Sequence, residues 1–320
     1  MTKTTILVPL DGSVFSESSI PAAMTMARRL GADIELISVF EDASVLAEAR
    51  DTGQEFKAWL RESLEELATR IRDVSEIPVA TTIVDGLPSE RLVEYAKRSS
   101  VEMIVMATHG RGPVSRAWLG SVADYVLRHV DVPVLLVRAD ERGEVTKVQE
   151  WTFNHVLVAL DGSDRAEHAL DWAVDLAMPG KTTITLFRAV EPPMPFASPY
   201  LPQAVDDTQA ALEAGHDAAV DYLSQLGDRL GAQGHQVETQ AIVGVHPAPA
   251  LVDYAHKHPI DLIAIGTHGR RGLRRLVLGS VADKVLRSAN VPILLVRDAK
   301  HTERPLEVVR GRATHASPAG

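Results

Sequence analysis

Two pairs of short polar stretches stand where apolar runs end, and their residue types suit phosphate and sugar hydroxyls. Asp11-Gly12-Ser13 follows the run ILVPL, and Asp161-Gly162-Ser163 follows VLVAL. Further on, ATHGRGPVSRAWLGS at 107–121 follows VEMIVM, and GTHGRRGLRRLVLGS at 266–280 follows DLIAI. In both longer stretches THG is followed by nine residues and then by GS. A glycine can take positive φ and lets a ligand reach backbone N–H groups with no Cβ in the way. Successive N–H groups turned inward make an anion nest, and the N-terminus of a following helix adds partial positive charge. GSVADKVL reads as that N-terminus, with Ser280 offering a hydroxyl in its first turn. Arg270, Arg271, Arg274 and Arg275 add attraction or reach phosphate oxygens, and at least half of them read as solvated surface charges.

Asp11 and Asp161 have two roles open, which can hold together: capping a turn or helix, and holding a ribose hydroxyl across a crevice from the glycine-rich loop. Ser13 and Ser163 lie in no GxSxG and have no histidine at a recognisable distance, so they read as helix caps rather than nucleophiles. His109 and His268 read as loop stabilisers or phosphate contacts before bases. GRGPVS at 110–115 lacks the third glycine of the dinucleotide fingerprint and follows a fourth strand rather than a first. No GxxxxGK[ST] and no HExxH occurs. No catalytic residue and no metal ligand is assigned.

The elements that must position these residues come in two copies. ILVPLDGS at 6–13 returns as VLVALDGS at 156–163, an offset of 150, and VADYVLRHVDVPVLLVR at 122–138 returns as VADKVLRSANVPILLVR at 281–297, an offset of 159. The difference of nine implies an insertion in the second copy, placed around the proline-rich 191–203. In the first copy TTILVPL, DIELISVF, PVATTIV, VEMIVMA and PVLLVR are short, apolar and rich in β-branched residues, as strands buried on both faces should be. Amphipathic stretches such as SESSIPAAMTMARRL and PSERLVEYAKR lie between them. The fold class expected is α/β: two tandem modules, each an open five-stranded parallel sheet with helices on both faces. Module 1 is expected over 1–140, a linker over 141–153, module 2 over 154–298 and a polar tail over 299–320. In such sheets ligands collect beyond the carboxyl ends of the strands, where strand order reverses, and both kinds of polar stretch stand there.

Composition sets outer limits. The 320 residues carry a net charge of −10, which makes a nucleic acid a poor partner. With no cysteine, disulfides, iron–sulfur clusters and thiolate zinc sites are excluded. No apolar run approaches the roughly 20 residues of a membrane span, and the first residues lack a signal segment, so a cytoplasmic protein away from membranes is expected.

The DGS after strand one, with G-x2-G-x9-G-[S/T] after strand four, resembles the ATP-binding branch of the universal stress protein family over about nine tenths of the chain. The resemblance implies an adenine nucleotide alpha hydrolase-like fold whose modules pair through their last strands, either within this chain or in a homodimer. It implies ATP, with or without magnesium, as ligand. In module 2 Gly266, Gly269, Gly279 and Ser280 would cradle phosphates, Asp161 would face the ribose, and Ala159, Ala189 and Val281 would line the adenine side, with Ile265 also among the nucleotide-binding positions. In module 1 the same roles fall to Pro9, Asp11, Val39, Gly110, Gly120, Ser121 and Val122, with Met106 also among the nucleotide-binding positions and Ala107 where the motif has its first glycine. If that position needs positive φ, the alanine costs roughly 1–2 kcal/mol; if not, its methyl only crowds the phosphate. The family role implied is regulation of stress response or growth through an unnamed protein partner. A slow ATPase or nucleotidyl-transferring enzyme, and a scaffold merely stabilised by nucleotide, are the alternatives.

Overall fold

A computed structural model describes residues 4–41, 50–98, 100–108, 119–138, 151–191, 204–267 and 278–297. In module 1 the strands are β1 (Thr5–Pro9), β2 (Asp33–Phe40), β3 (Val79–Asp85), β4 (Val101–Ala107) and β5 (Val134–Val137). The helices are α1 (Val14–Glu17), α2 (Ile20–Leu30), α3 (Arg50–Val74), α4 (Pro88–Ala96) and α5 (Ser121–His129). Module 2 repeats the order with β6 (His155–Ala159), α6 (Asp164–Leu176), β7 (Thr183–Val190), α7 (Ala204–Ala232), β8 (Gln236–Val243), α8 (Pro247–Lys257), β9 (Leu262–Gly266), α9 (Ser280–Ser288) and β10 (Ile293–Val296). The five strands read from the sequence of module 1 are all present.

The ten strands form one sheet in the order β3-β2-β1-β4-β5-β10-β9-β6-β7-β8. Every neighbouring pair is parallel except β5 with β10, which run antiparallel. At this seam Leu135 lies opposite Leu294, its own counterpart at the offset of 159, so the two modules meet about a local pseudo-twofold axis. The chain therefore pairs its own halves. Strand order turns back on itself between β1 and β4, and again between β6 and β9.

Alternate strand residues feed two cores, one per face, and each core runs through both modules. Leu135, Val137, Leu294 and Val296 join the core under α2, α3, α6 and α7. Val134, Leu136, Ile293 and Leu295 join the core under α4, α5, α8 and α9. The period-2 alternation puts every second strand residue on the same face, which is why these strands read as unbroken apolar runs. Trp151 and Phe153, at the end of the stretch read as a linker, pack into the first core, and Trp151 O accepts the Thr25 hydroxyl at 2.8 Å. The rest of that stretch, 141–150, and the tail over 299–320 lie outside the described residues.

The nine extra residues of module 2 are divided. From Ile34 to its partner Val79 the chain advances 45 positions, and from Ile184 to Val237 it advances 53, so eight of the nine precede β8. α7 has 29 residues against 25 in α3, one extra helical turn, which leaves about half of the eight for the proline-rich stretch. The ninth falls between Gly244 and Pro247, where module 1 passes from Gly86 to Pro88. No described helix is long and apolar enough to cross a membrane.

Candidate functional site

The DGS turns have the same geometry in both copies. Gly12 and Gly162 take φ of 74° and 80°, which explains a glycine there. The Asp11 carboxylate accepts the Ser13 N–H at 2.9 Å and the Ser13 hydroxyl at 2.6 Å; Asp161 accepts the same pair from Ser163 at 2.9 and 2.5 Å. Ser13 in turn caps α1 by accepting the Ser16 N–H, and Ser163 caps α6 by accepting the Ala166 N–H. Both serines are thus N-caps, held in place by the aspartates.

After the fourth strand a backbone bond joins the described residues on either side of the glycine-rich stretch in each module. Gly120 N–H donates to Thr108 O at 2.9 Å, and Gly279 N–H donates to Thr267 O at 2.6 Å. The Gly279 N–H is therefore engaged within the chain. What the glycine leaves open is the helix behind it: Gly279 is the N-cap of α9 with no side-chain cap, so no cap side chain takes the first-turn N–H groups of Ser280 and Val281, both of which line the cleft. Gly120 stands likewise before α5.

The first motif glycine acts through space rather than through φ. Gly266 is not among the positive-φ glycines; a Cβ built on it would lie 3.0 Å from Arg165 O and 3.2 Å from Arg165 C, in the first turn of α6. Of the two consequences considered for Ala107, backbone strain therefore drops out. In module 1, where Ala107 carries the methyl, the corresponding helix is broken into α1 and α2 around Ser18 and Ser19. Pro21 has no N–H for Glu17 O, and the Ser18 and Ser19 hydroxyls bond back to Phe15 O and Ser16 O at 2.6 and 2.7 Å. α6, with DRAEHALDW in the same register, runs unbroken over 13 residues.

These pieces enclose a cavity of about 170 Å³ at the reversal between β6 and β9. Ala159, Asp161, Ala189, Ile265, Gly266, Gly279, Ser280 and Val281 all line it. Gly269 lies outside the described residues, as do His268 and the four arginines. The walls also include Phe187, Pro247, Leu251, Ala166 and Thr267. The first three of these come from β7 and α8, outside both polar motifs, and only their apolar character at the C-terminal end of a strand and the start of a helix could have flagged them. At the outer side Tyr222 of α7 donates to Glu167 at 3.0 Å; burial first, and then the neighbouring Glu167 carboxylate, push this phenol well above its ordinary value.

Module 1 gathers the corresponding residues at its own corner. Pro9, Met106 and Ala107 end β1 and β4 and are buried, Val39 and Val122 flank the second core, and Asp11, Gly120 and Ser121 stand at the strand and helix ends. Gly110 and His109 lie outside the described residues. Among the described residues no group of three potential metal ligands comes together.

A doubly wound α/β module with its cleft at the strand reversal, built twice and joined through its last strands, is the class this architecture defines. The model of the universal stress protein family matches residues 3–138 and again 152–297, and the chain belongs to that family as a tandem member. A universal stress protein of Mycolicibacterium smegmatis is 26% identical over 302 residues, covering 91% of this chain and 96% of its own length. One from Mycobacterium tuberculosis is 27% identical over 228 residues, 70% of each chain. The crystal structure of a universal stress protein from Archaeoglobus fulgidus matches with a TM-score of 0.64 at 21% identity, covering 92% of this chain and 96% of that one. At that identity the likeness is one of fold.

Proposed function

We propose that the protein binds ATP in the module 2 cleft and that occupancy regulates a stress or growth response through a protein partner. The observation that carries the reading is the conjunction of an apolar wall and an uncapped helix N-terminus in one cavity. Phe187, Leu251, Ala159, Ala189, Ile265 and Val281 suit a flat heterocycle, the first turn of α9 suits phosphate, and Asp161 stands at the mouth for a ribose hydroxyl. Its Oδ1 is already taken by Ser163, which leaves the carboxylate oriented. A magnesium ion arriving with ATP would be held mainly by phosphate and water, as such ions commonly are.

Module 2 is the tighter site. Where it has Ala159, Ala189 and Gly266, module 1 has the larger Pro9, Val39 and Ala107. Binding with slow or no turnover has more support than an ATPase, because among the described lining residues Asp161 is the one carboxylate and it is assigned to the ribose.

The test is to denature freshly purified protein and identify released nucleotide by chromatography, per mole of chain. An adenine nucleotide, at one per chain if only module 2 is filled and two if both are, is the expected result, and Gly279→Val should abolish the module 2 share. If nothing is released and excess ATP gives no thermal stabilisation, the reading is wrong; ligand at about a hundred times its Kd stabilises by roughly 2.7 kcal/mol.

A further inference from the structure

Each module's last strand is followed by an arginine that reaches into the other module. Arg297, next after β10, donates from Nη1 to Arg128 O at 2.8 Å, Val130 O at 2.9 Å and Leu127 O at 3.4 Å, the carbonyls that end α5. Arg138, next after β5, reaches Asn290 Oδ1 at 2.9 Å and Ala289 O at 3.5 Å, at the end of α9. A guanidinium there satisfies carbonyls that have no partner within the helix and complements the negative end of its dipole.

The same strands bond to the residues that border the clefts. Val296 O accepts the Thr267 N–H at 3.0 Å, and Thr267 O accepts the Gly279 N–H at 2.6 Å. In module 1 Val137 O accepts the Thr108 N–H at 2.9 Å, and Thr108 O accepts the Gly120 N–H at 2.9 Å. A bonded route therefore runs from the N-cap of α9 through Thr267, Val296 and Arg297 to the C-terminus of α5, whose other end is the cleft of module 1. Its counterpart runs from Gly120 through Thr108, Val137 and Arg138 to the end of α9. The two helices also feel each other's charge: the Arg128 hydrogen bond holds Asp124 below its ordinary value, and Arg287 of α9 adds to the effect.

We propose that the two clefts are energetically coupled through this crossed relay, with Arg297 and Arg138 as positioning residues, so that filling one cleft stiffens the other module's cleft-facing helix from its far end. The proposal rests on the nucleotide reading above. A ligand that immobilises the α9 N-terminus also holds Thr267, Val296 and the arginine beyond them. α5 is then partly ordered before its own ligand arrives, and the second binding event loses less conformational freedom. Coupling of this kind is reciprocal.

An arginine serving only as a structural cap would affect stability without making α5 respond to a ligand in module 2. The experiment uses the full chain carrying Gly120→Val to close the module 1 cleft, with and without Arg297→Lys, which keeps the charge but not the three-carbonyl reach. ATP binding is followed by calorimetry, folding by near-ultraviolet circular dichroism, and amide exchange in the last turn of α5 by mass spectrometry. With Arg297 present, ATP should slow that exchange by about fivefold or more, the lower end of ordinary coupling, and with lysine the effect should disappear. Bound ATP that leaves α5 unchanged, or an equal effect with lysine, overturns the proposal. No heat of binding in either protein defeats the nucleotide reading itself, and the coupling falls with it.

Discussion

Single atoms decide much at the clefts. A methyl at Gly266 would press on the Arg165 backbone, so Gly266→Ala should destabilise the protein by about 1–3 kcal/mol, as overpacking does, and weaken ATP binding in module 2. Urea unfolding and titration check both; a neutral result in each would mean that α6 yields freely. Two histidines set a pH dependence. Burial holds His155 below its ordinary value, opposed by Glu238 and Asp261 and aided by His258, and burial alone lowers His235. The unfolded chain therefore takes up these protons first: their contribution to stability is complete above about pH 6.5 and is lost as pH falls through that value toward the folded ones. Replacing both by glutamine should flatten the slope of Tm against pH between about 7 and 5, and an unchanged slope would contradict it. The motif residues were legible because aspartate, glycine and serine recur at fixed spacing in two copies. The reason for Gly266 was not, since a close approach by the Arg165 backbone depends on how α6 packs and leaves no mark at position 266 itself.

Helix ends and interruptions carry the next level of control. Ser163 both caps α6 and helps fix Asp161, so Ser163→Ala should cost about 1 kcal/mol of stability and also weaken ATP binding by leaving the carboxylate held only through the backbone N–H. Denaturant titration beside ATP titration separates the two effects; loss of stability with binding intact would mean that the hydroxyl does not orient Asp161 for the ligand. The strands of module 1 were readable because burial on both faces makes them continuous apolar runs. The long helix α3 was not singled out in the sequence, although Leu60, Leu64, Leu67, Ala68 and Ile71 are buried at helical spacing. The interruption between α1 and α2 was harder to see, although Pro21 and the serines before it are its local cause. The division of the nine extra residues between the proline-rich stretch, a helical turn and the β8–α8 connection needed the strand register, because a polar helix accepts an added turn without any break in its composition.

For the whole molecule, cores that cross the seam on both faces mean that the modules should unfold together. Denaturant melts followed by tryptophan fluorescence and by far-ultraviolet circular dichroism should coincide, whereas two separated transitions would show that the seam is weaker than the modules it joins. Leu135→Asp, a charge placed opposite Leu294 in the centre of that seam, should lower stability by more than about 3 kcal/mol, because a carboxylate buried there has no partner in the apolar layer. The pairing of last strands was expected from family resemblance, and their antiparallel register became visible only with the sheet assembled. That register has a consequence for how the molecule can grow. Alone, each module would leave its last strand as an open edge, whereas the tandem chain pairs the two and is self-saturated there. Among the described elements the outer strands β3 and β8 are the edges still open, so a copy added there would extend the sheet at its rims and leave the seam untouched.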